Sequence, residues 1–259
     1  MNRQRCVLVW VSIFLLLGGC QDSTNPTSPA ILDERAMQTA SANPSDDIEN
    51  SEIETDPYPS YVMAAIGDSI TYGIGAYFTG GYPGILETKL QSAGYTVTIY
   101  NQGIPGAHSE LADQYFEYSV RGANVALIMI GTNDISNAAG CSNPADCHTI
   151  ENIRSMIEKS RGLGIVPVLG TITPKRSTGD LAGYNPQIEA LNRQIFTLAA
   201  QYGIAVADTY QAVLNYGGDA LFSDNHHFTD YGYEVIANEW YWTLVDSVLY
   251  TIPVSTNSR

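Results

Sequence analysis

From Tyr61 onward, short apolar runs alternate with amphipathic stretches. "YVMAAI" (61–66) and "NVALIMI" (124–130) carry almost no polar residue. Short runs without alternation predict strands buried on both faces, as in the centre of a parallel sheet. "YTVTIYN" (95–101), "IVPVLGTI" (165–172) and "IAVADTY" (204–210) predict three more strands, with Pro167 counting against interior pairing at its own position. Helical patterns fill the intervals. "YPGILETKLQSAG" (82–94) ends on Gly94, and a second helical stretch lies near 109–121. Residues 149–164 put Ile150, Ile153 and Ile157 on one helical face. Residues 185–203 open on Asn185 as a cap with Pro186 behind it, and Ile188, Leu191, Ile195 and Leu198 form the apolar face. A last helix is predicted over 229–249.

About five strand–helix alternations imply a doubly wound α/β domain, a parallel sheet covered by helices on both faces. Ligands of such folds bind beyond the carboxyl ends of the strands, so the polar residues there carry the chemistry. The first strand runs into Gly67-Asp68-Ser69, and the second into "NQGIPGAHS" with Gly103 and Gly106. The third runs into Gly131-Thr132-Asn133-Asp134, and Asp224, His226 and His227 precede the last helix. A serine hydroxyl attacks only when a base takes its proton, and histidine suits that near neutral pH. A carboxylate on the other imidazole nitrogen fixes the tautomer. The backbone N–H groups of Ser69 and Gly103 and the amide of Asn133 are candidate donors to an oxyanion. Asp68 and Asp134 read as loop-shaping hydrogen-bonding residues, and His108 as a surface histidine near a site loop. The α/β-hydrolase pattern G-x-S-x-G is absent, because Thr71 stands where its second glycine belongs. No P-loop or dinucleotide fingerprint occurs.

The blocks "GDS", "NQGIPG", "GTND" and "DNHH", in that order and spread over residues 67–227, resemble the SGNH (GDSL) hydrolase family. The resemblance covers roughly residues 60–250. It implies a three-layer α/β/α, flavodoxin-like fold of about five parallel strands, and ester or thioester hydrolysis without a metal or other cofactor. It also implies Ser69 as nucleophile, His227 as base, Asp224 as its orienting acid, and Ser69, Gly103 and Asn133 as the oxyanion hole. The family includes broad esterases, lysophospholipases, thioesterases and carbohydrate deacetylases. Short acyl or O-acetyl esters of small molecules or glycans are the expected substrates. The last block departs from the usual Asp-Gly-x-His-Pro: the chain has Asp224-Asn225-His226-His227-Phe228, so His226 competes with His227 as base. Acyl transfer at the same serine, or a flavodoxin-like binding module without turnover, are the alternatives.

The N-terminus changes the picture of where this domain sits. "MNRQR" followed by "VLVWVSIFLLL" has the layout of an export signal. Its end, Leu17-Gly18-Gly19-Cys20, resembles the bacterial lipobox. That implies a signal over 1–19, a lipidated Cys20, a polar tether over 20–59 and the catalytic domain over 60–259. The expectation is a membrane-anchored lipoprotein, periplasmic or on the cell surface, with Gln21 pointing to an outer membrane. In an oxidising compartment Cys141 and Cys147 are expected to form a disulfide; a metal site using His148 is the rival. The chain carries 12 basic and 27 acidic residues. Nine acidic residues and one arginine fall in 21–59. Neither tether nor domain offers a basic stripe, which argues against nucleic acid and anionic lipid as partners.

Overall fold

A computed structural model of the chain describes residues 60–135 and 147–252. The expected signal, Cys20, the tether, Cys141 and most of the loop 135–148 lie outside the described residues.

Five parallel strands form one sheet: β1 (Ser60–Gly67), β2 (Thr96–Gly103), β3 (Val125–Met129), β4 (Val166–Gly170) and β5 (Val206–Ala207), in the order β2-β1-β3-β4-β5. The register runs Met63↔Ile99 and Met63↔Val125, then Leu127↔Val168 and Leu169↔Val206. The helices are α1 (Ser69–Tyr72), α2 (Tyr82–Ser92), α3 (Ser109–Ser119), α4 (Thr132–Ile135), α5 (Thr149–Gly162), α6 (Asn185–Tyr202), α7 (Thr209–Tyr216) and α8 (Asp230–Ser247).

The near-continuous apolar runs now have a reason. In β3, Val125, Leu127 and Met129 face one core, and Ala126 and Ile128 face the other. Met63 and Ala65 of β1 join the first, Ala64 and Ile66 the second. The first core is closed by Leu86 and Leu90 of α2, Val213 of α7, and Tyr233, Ile236 and Trp240 of α8. The second is closed by Phe116 of α3, Met156 and Ile157 of α5, and Leu191 and Ile195 of α6. The result is the expected three-layer α/β/α architecture.

Three local expectations are corrected. Pro167 sits inside β4, opposite Ala126, without loss. Leu169 and Thr171 donate their N–H groups toward the β5 side, to Ala205 and Ala207. By alternation the missing donor of Pro167 points to the same side, ahead of where that pairing begins. The fifth strand is only two residues long, because the Asp208 carboxylate accepts from Gln211 N and starts α7. Asn185 is not the cap of α6; its side chain is spent on Lys175, to which it donates and from which it accepts.

Candidate active site

The strand order reverses between β1 and β3, and the carboxyl ends of these neighbours form the crevice where such folds bind ligands. Ser69 follows β1 and Asn133 follows β3. Gly67 ends β1 beside Gly103 of β2. Asp68 caps α1, its carboxylate accepting from Ile70 N at 2.8 Å. This one-turn helix fixes the Ser69 backbone.

The loop before α8 brings His227 to Ser69. His227 Nε2 lies 2.9 Å from Ser69 Oγ, and its Nδ1 lies 2.7 Å from Asp224 Oδ2. Asp224 Oδ1 also accepts from the backbone N–H groups of His226, at 2.8 Å, and His227, at 2.7 Å. Burial alone would raise the Asp224 carboxyl. Those N–H donors and the His227 imidazole outweigh it and hold the group well below the ordinary carboxylate range. An ionised Asp224 only accepts, so Nδ1 carries the proton and the Nε2 lone pair faces the serine hydroxyl. That is the tautomer a general base requires.

His226 lies against His227 with ring centroids 3.9 Å apart and planes tilted by 39°, but its Nδ1 has no hydrogen-bond partner among the described residues. Burial, with the positive charges of Lys175 and His227, pushes its imidazole down to about 4 despite Asp224. The geometry therefore pairs the serine with His227, not with its neighbour. Asp224, His226 and His227 are also the one group of metal-capable side chains among the described residues. Their donors do not fit a resident ion. Asp224 Oδ1 already accepts two N–H bonds, His227 Nε2 faces Ser69, and Lys175 places a cation's field beside them.

The expected oxyanion donors divide. Ser69 N, at the start of α1, has no partner among the described residues. Asn133 is buried and spends one Nδ2 proton on Ala107 O at 2.7 Å, leaving the other. Gly103 reaches the same strand end, but its N–H donates to its own Asn101 Oδ1 at 3.0 Å. A Cβ there would lie 2.2 Å from Tyr72 N, so the glycine is demanded by the close approach of α1. Gly106 stands three residues on, at φ +79° with open space where a Cβ would be. Its N–H has no partner among the described residues, and it adjoins the Ala107 carbonyl that holds Asn133.

Asp134 is structural, as expected: buried, it accepts from Ser109 N, Ser109 Oγ and Thr149 Oγ1. His108 precedes α3 without a side-chain cap bond, and His148 sits at φ 54° before α5. Cys147 is buried, with Sγ 3.9 Å from Asp134 O. Of the aromatic residues in 231–242, Tyr233 and Trp240 pack the core, while Tyr231 and Trp242 line a surface groove between α7 and α8 away from Ser69. Sequence reasoning missed Lys175. It is 2% exposed, its charge acts on both Asp68 and Asp224, and burial lowers its ammonium to about 8 against those two carboxylates. A lysine in a polar loop gives no sequence cue to burial.

Residues 65–235 match the family model described as GDSL-like Lipase/Acylhydrolase family. A search of curated proteins found no match. Among solved structures, a G-D-S-L family protein from Desulfitobacterium hafniense DCB-2 aligns at a TM-score of 0.61 and 19% identity, over 71% of this chain and 100% of that one. The acetyl xylan esterase AlAXEase aligns at 0.61 and 23% identity, over 70% of this chain and 98% of that one. An acetylxylan esterase from Geobacillus stearothermophilus aligns at 0.59 and 21% identity, over 71% and 93%. At these identities the likeness is one of fold.

Proposed function

The chain belongs to the GDSL-like lipase/acylhydrolase family, and from that premise we propose a serine esterase that removes short acyl groups, acetyl above all, from a glycan. The reading rests on one observation: Ser69 Oγ, His227 and Asp224 stand in hydrogen-bonded sequence at 2.9 and 2.7 Å.

In the proposed cycle His227 Nε2 takes the Ser69 proton as Oγ attacks the ester carbonyl. Ser69 N–H, Gly106 N–H and the remaining Nδ2 proton of Asn133 receive the oxyanion. His227 then protonates the departing alcohol, leaving an acyl-serine. Water, deprotonated by the same imidazole, releases the acid and restores the serine. Asp224 stays ionised throughout and steadies the imidazolium. The choice of acetylated glycan draws on the acetylxylan esterases among the structures with this fold. The Tyr77–Phe78 pair, 86% and 88% exposed on the segment after α1, offers flat apolar faces to a sugar.

Export as a lipoprotein anchored through Cys20, and a Cys141–Cys147 disulfide, complete the proposal. Peptide mapping without reductant tests the disulfide: a linked 141–147 peptide is expected, and free thiols at both positions refute it. For the activity, hydrolysis is to be followed on p-nitrophenyl esters of increasing chain length and on acetylated xylo-oligosaccharides. Ser69→Ala should lower kcat by about 10⁴-fold or more, and a fluorophosphonate should label Ser69 alone. Equal rates on acetyl and octanoyl esters, with no acetate released from the oligosaccharides, would refute the substrate assignment.

A further inference from the structure

Four buried side-chain polar atoms lack a hydrogen-bond partner among the described residues, and three of them lie on two touching segments. They are Thr173 Oγ1 and Arg176 Nε after β4, and His226 Nδ1 in the loop before α8. The segments are joined. Arg176 N donates to Asn225 O at 3.0 Å, and a Cβ on Gly179 would stand 2.4 Å from Asn225 Oδ1. The first segment leaves the carboxyl end of β4, beside the strand that delivers Asn133, and the second carries Asp224 and His227. Ligands of such sheets bind at that edge.

Arg176 is the informative member. Its Nε is buried, yet its guanidinium makes no hydrogen bond, ion pair or aromatic contact among the described residues. Covering an arginine N–H without an acceptor costs free energy. The chain is not short of acceptors, with 27 acidic residues against 12 basic ones. Those along these segments are spent elsewhere. Asp219 accepts from the backbone and hydroxyl of Ser177 and Thr178, and Asp224 accepts from His226 N, His227 N and His227 Nδ1. Asp180, exposed and four residues on, forms no ion pair with it. The segment is also fixed, because Asn185 accepts from Lys175 N and donates to Lys175 O. A clamped backbone thus carries an unpaired guanidinium against the loop that holds His227.

A guanidinium is a planar fork of donors. It matches a carboxylate in two parallel hydrogen bonds and stays charged at any working pH. An arginine left unpaired in this way suits an anionic group of the substrate better than a neutral hydroxyl. Lys175, buried next to it, adds positive charge on the same segment. Within a glycan, the anionic group is the carboxylate of a uronic acid.

We propose that Arg176 is a specificity-determining residue: it receives the carboxylate of a uronic acid unit in the glycan whose acyl ester Ser69 attacks. The role rests on the esterase reading above and narrows its substrates from acylated glycans to acidic ones.

Three substrates decide it: an acetylated xylo-oligosaccharide with a glucuronic acid branch, the same compound with that carboxylate converted to an amide, and lysophosphatidylglycerol. Wild type should show a kcat/KM about 10–100-fold higher on the acid than on the amide, the range of a charge-assisted hydrogen bond. Arg176→Met should bring that ratio near one, and Arg176→Lys should keep part of it. Equal rates on acid and amide in wild type overturn the proposal, whether or not any variant folds. So does a ratio that survives in Arg176→Met. Preference for lysophosphatidylglycerol over both oligosaccharides would assign the guanidinium to a phosphate and overturns the carboxylate as well. Binding reads the same contact without turnover. In a Ser69→Ala background, calorimetry with the acid oligosaccharide should show a Kd about 10–100-fold weaker once Arg176→Met is added, and an unchanged Kd overturns the assignment. If wild type neither hydrolyses p-nitrophenyl acetate nor takes a fluorophosphonate at Ser69, the esterase reading fails, and the calorimetry still decides whether Arg176 binds a carboxylate.

Discussion

At the scale of single residues, two adjacent histidines compete for one role, and their surroundings separate them. His227 has a carboxylate on one nitrogen and the serine on the other, whereas His226 has a buried Nδ1 without a hydrogen-bond partner, 3.7 Å from Asp224 Oδ1, and an imidazole pushed down to about 4. His227→Ala is expected to lower kcat/KM by about 10⁴-fold or more, and His226→Gln by less than about tenfold. Steady-state kinetics on one ester distinguishes them, and a larger loss in His226→Gln would reverse the assignment. Gly103 and Asn133, two expected oxyanion residues, separate in the same way. Gly103→Ala keeps its N–H but drives a Cβ into the backbone of Tyr72. It should cost about 1–3 kcal/mol, as overpacking does, read as a lower urea midpoint with unchanged slope. Asn133→Ala instead removes a proposed oxyanion donor and should lower kcat by about 10²–10³-fold. An unchanged kcat in that variant would remove Asn133 from the site.

At the scale of elements, two carboxylates each fasten a site loop. Asp230, in the first turn of α8, accepts from Tyr77 N, Phe78 N, Thr79 N and Thr79 Oγ1. Asp219 does the same for Ser177 and Thr178. Both carboxyls lie below their ordinary range chiefly because backbone N–H groups donate to them, from Phe78 and Ser177 first. By linkage their hold is complete above the ordinary carboxylate pKa and is lost as pH falls through the lowered folded value. Asp230→Ala should speed chymotrypsin cleavage after Tyr77 and Phe78 while leaving the global unfolding midpoint nearly unchanged; equal cleavage rates would deny the clamp. These loops also mark where the sequence stopped being legible. The long apolar runs of β1 and β3 and the 3.6-residue faces of α5 and α6 were readable because burial writes directly onto residue type. Asn185 read as a cap but is used as a clamp, and β5 was cut short by Asp208. In each, a short polar side chain has several local uses, and tertiary partners choose among them. Lys175 was invisible for a related reason: its burial follows from the packing of three loops distant in sequence.

At the scale of the whole molecule, every residue of the proposed site falls between Ser69 and His227, inside a sheet and two helical layers that span residues 60–252. Among the described residues no helix is long and apolar enough to cross a membrane. The proposed membrane attachment runs through the segment before the domain. Residues 21–59 hold nine acidic residues and one arginine, a composition that anionic lipid repels, so the proposed attachment there would need a lipid rather than charge. The proposal makes anchor and site separable functions of one chain. Cys20→Ser in the full-length protein, expressed in a bacterium that processes lipoproteins, should move the enzyme from the detergent phase to the aqueous phase of a Triton X-114 partition. Its kcat/KM on a soluble acetyl ester should stay within about twofold of wild type, since no site residue is touched. Wild-type protein found wholly in the aqueous phase would exclude the lipid anchor. A variant that partitions correctly but loses activity on the soluble ester would show that residues before Ser60 contribute to the site.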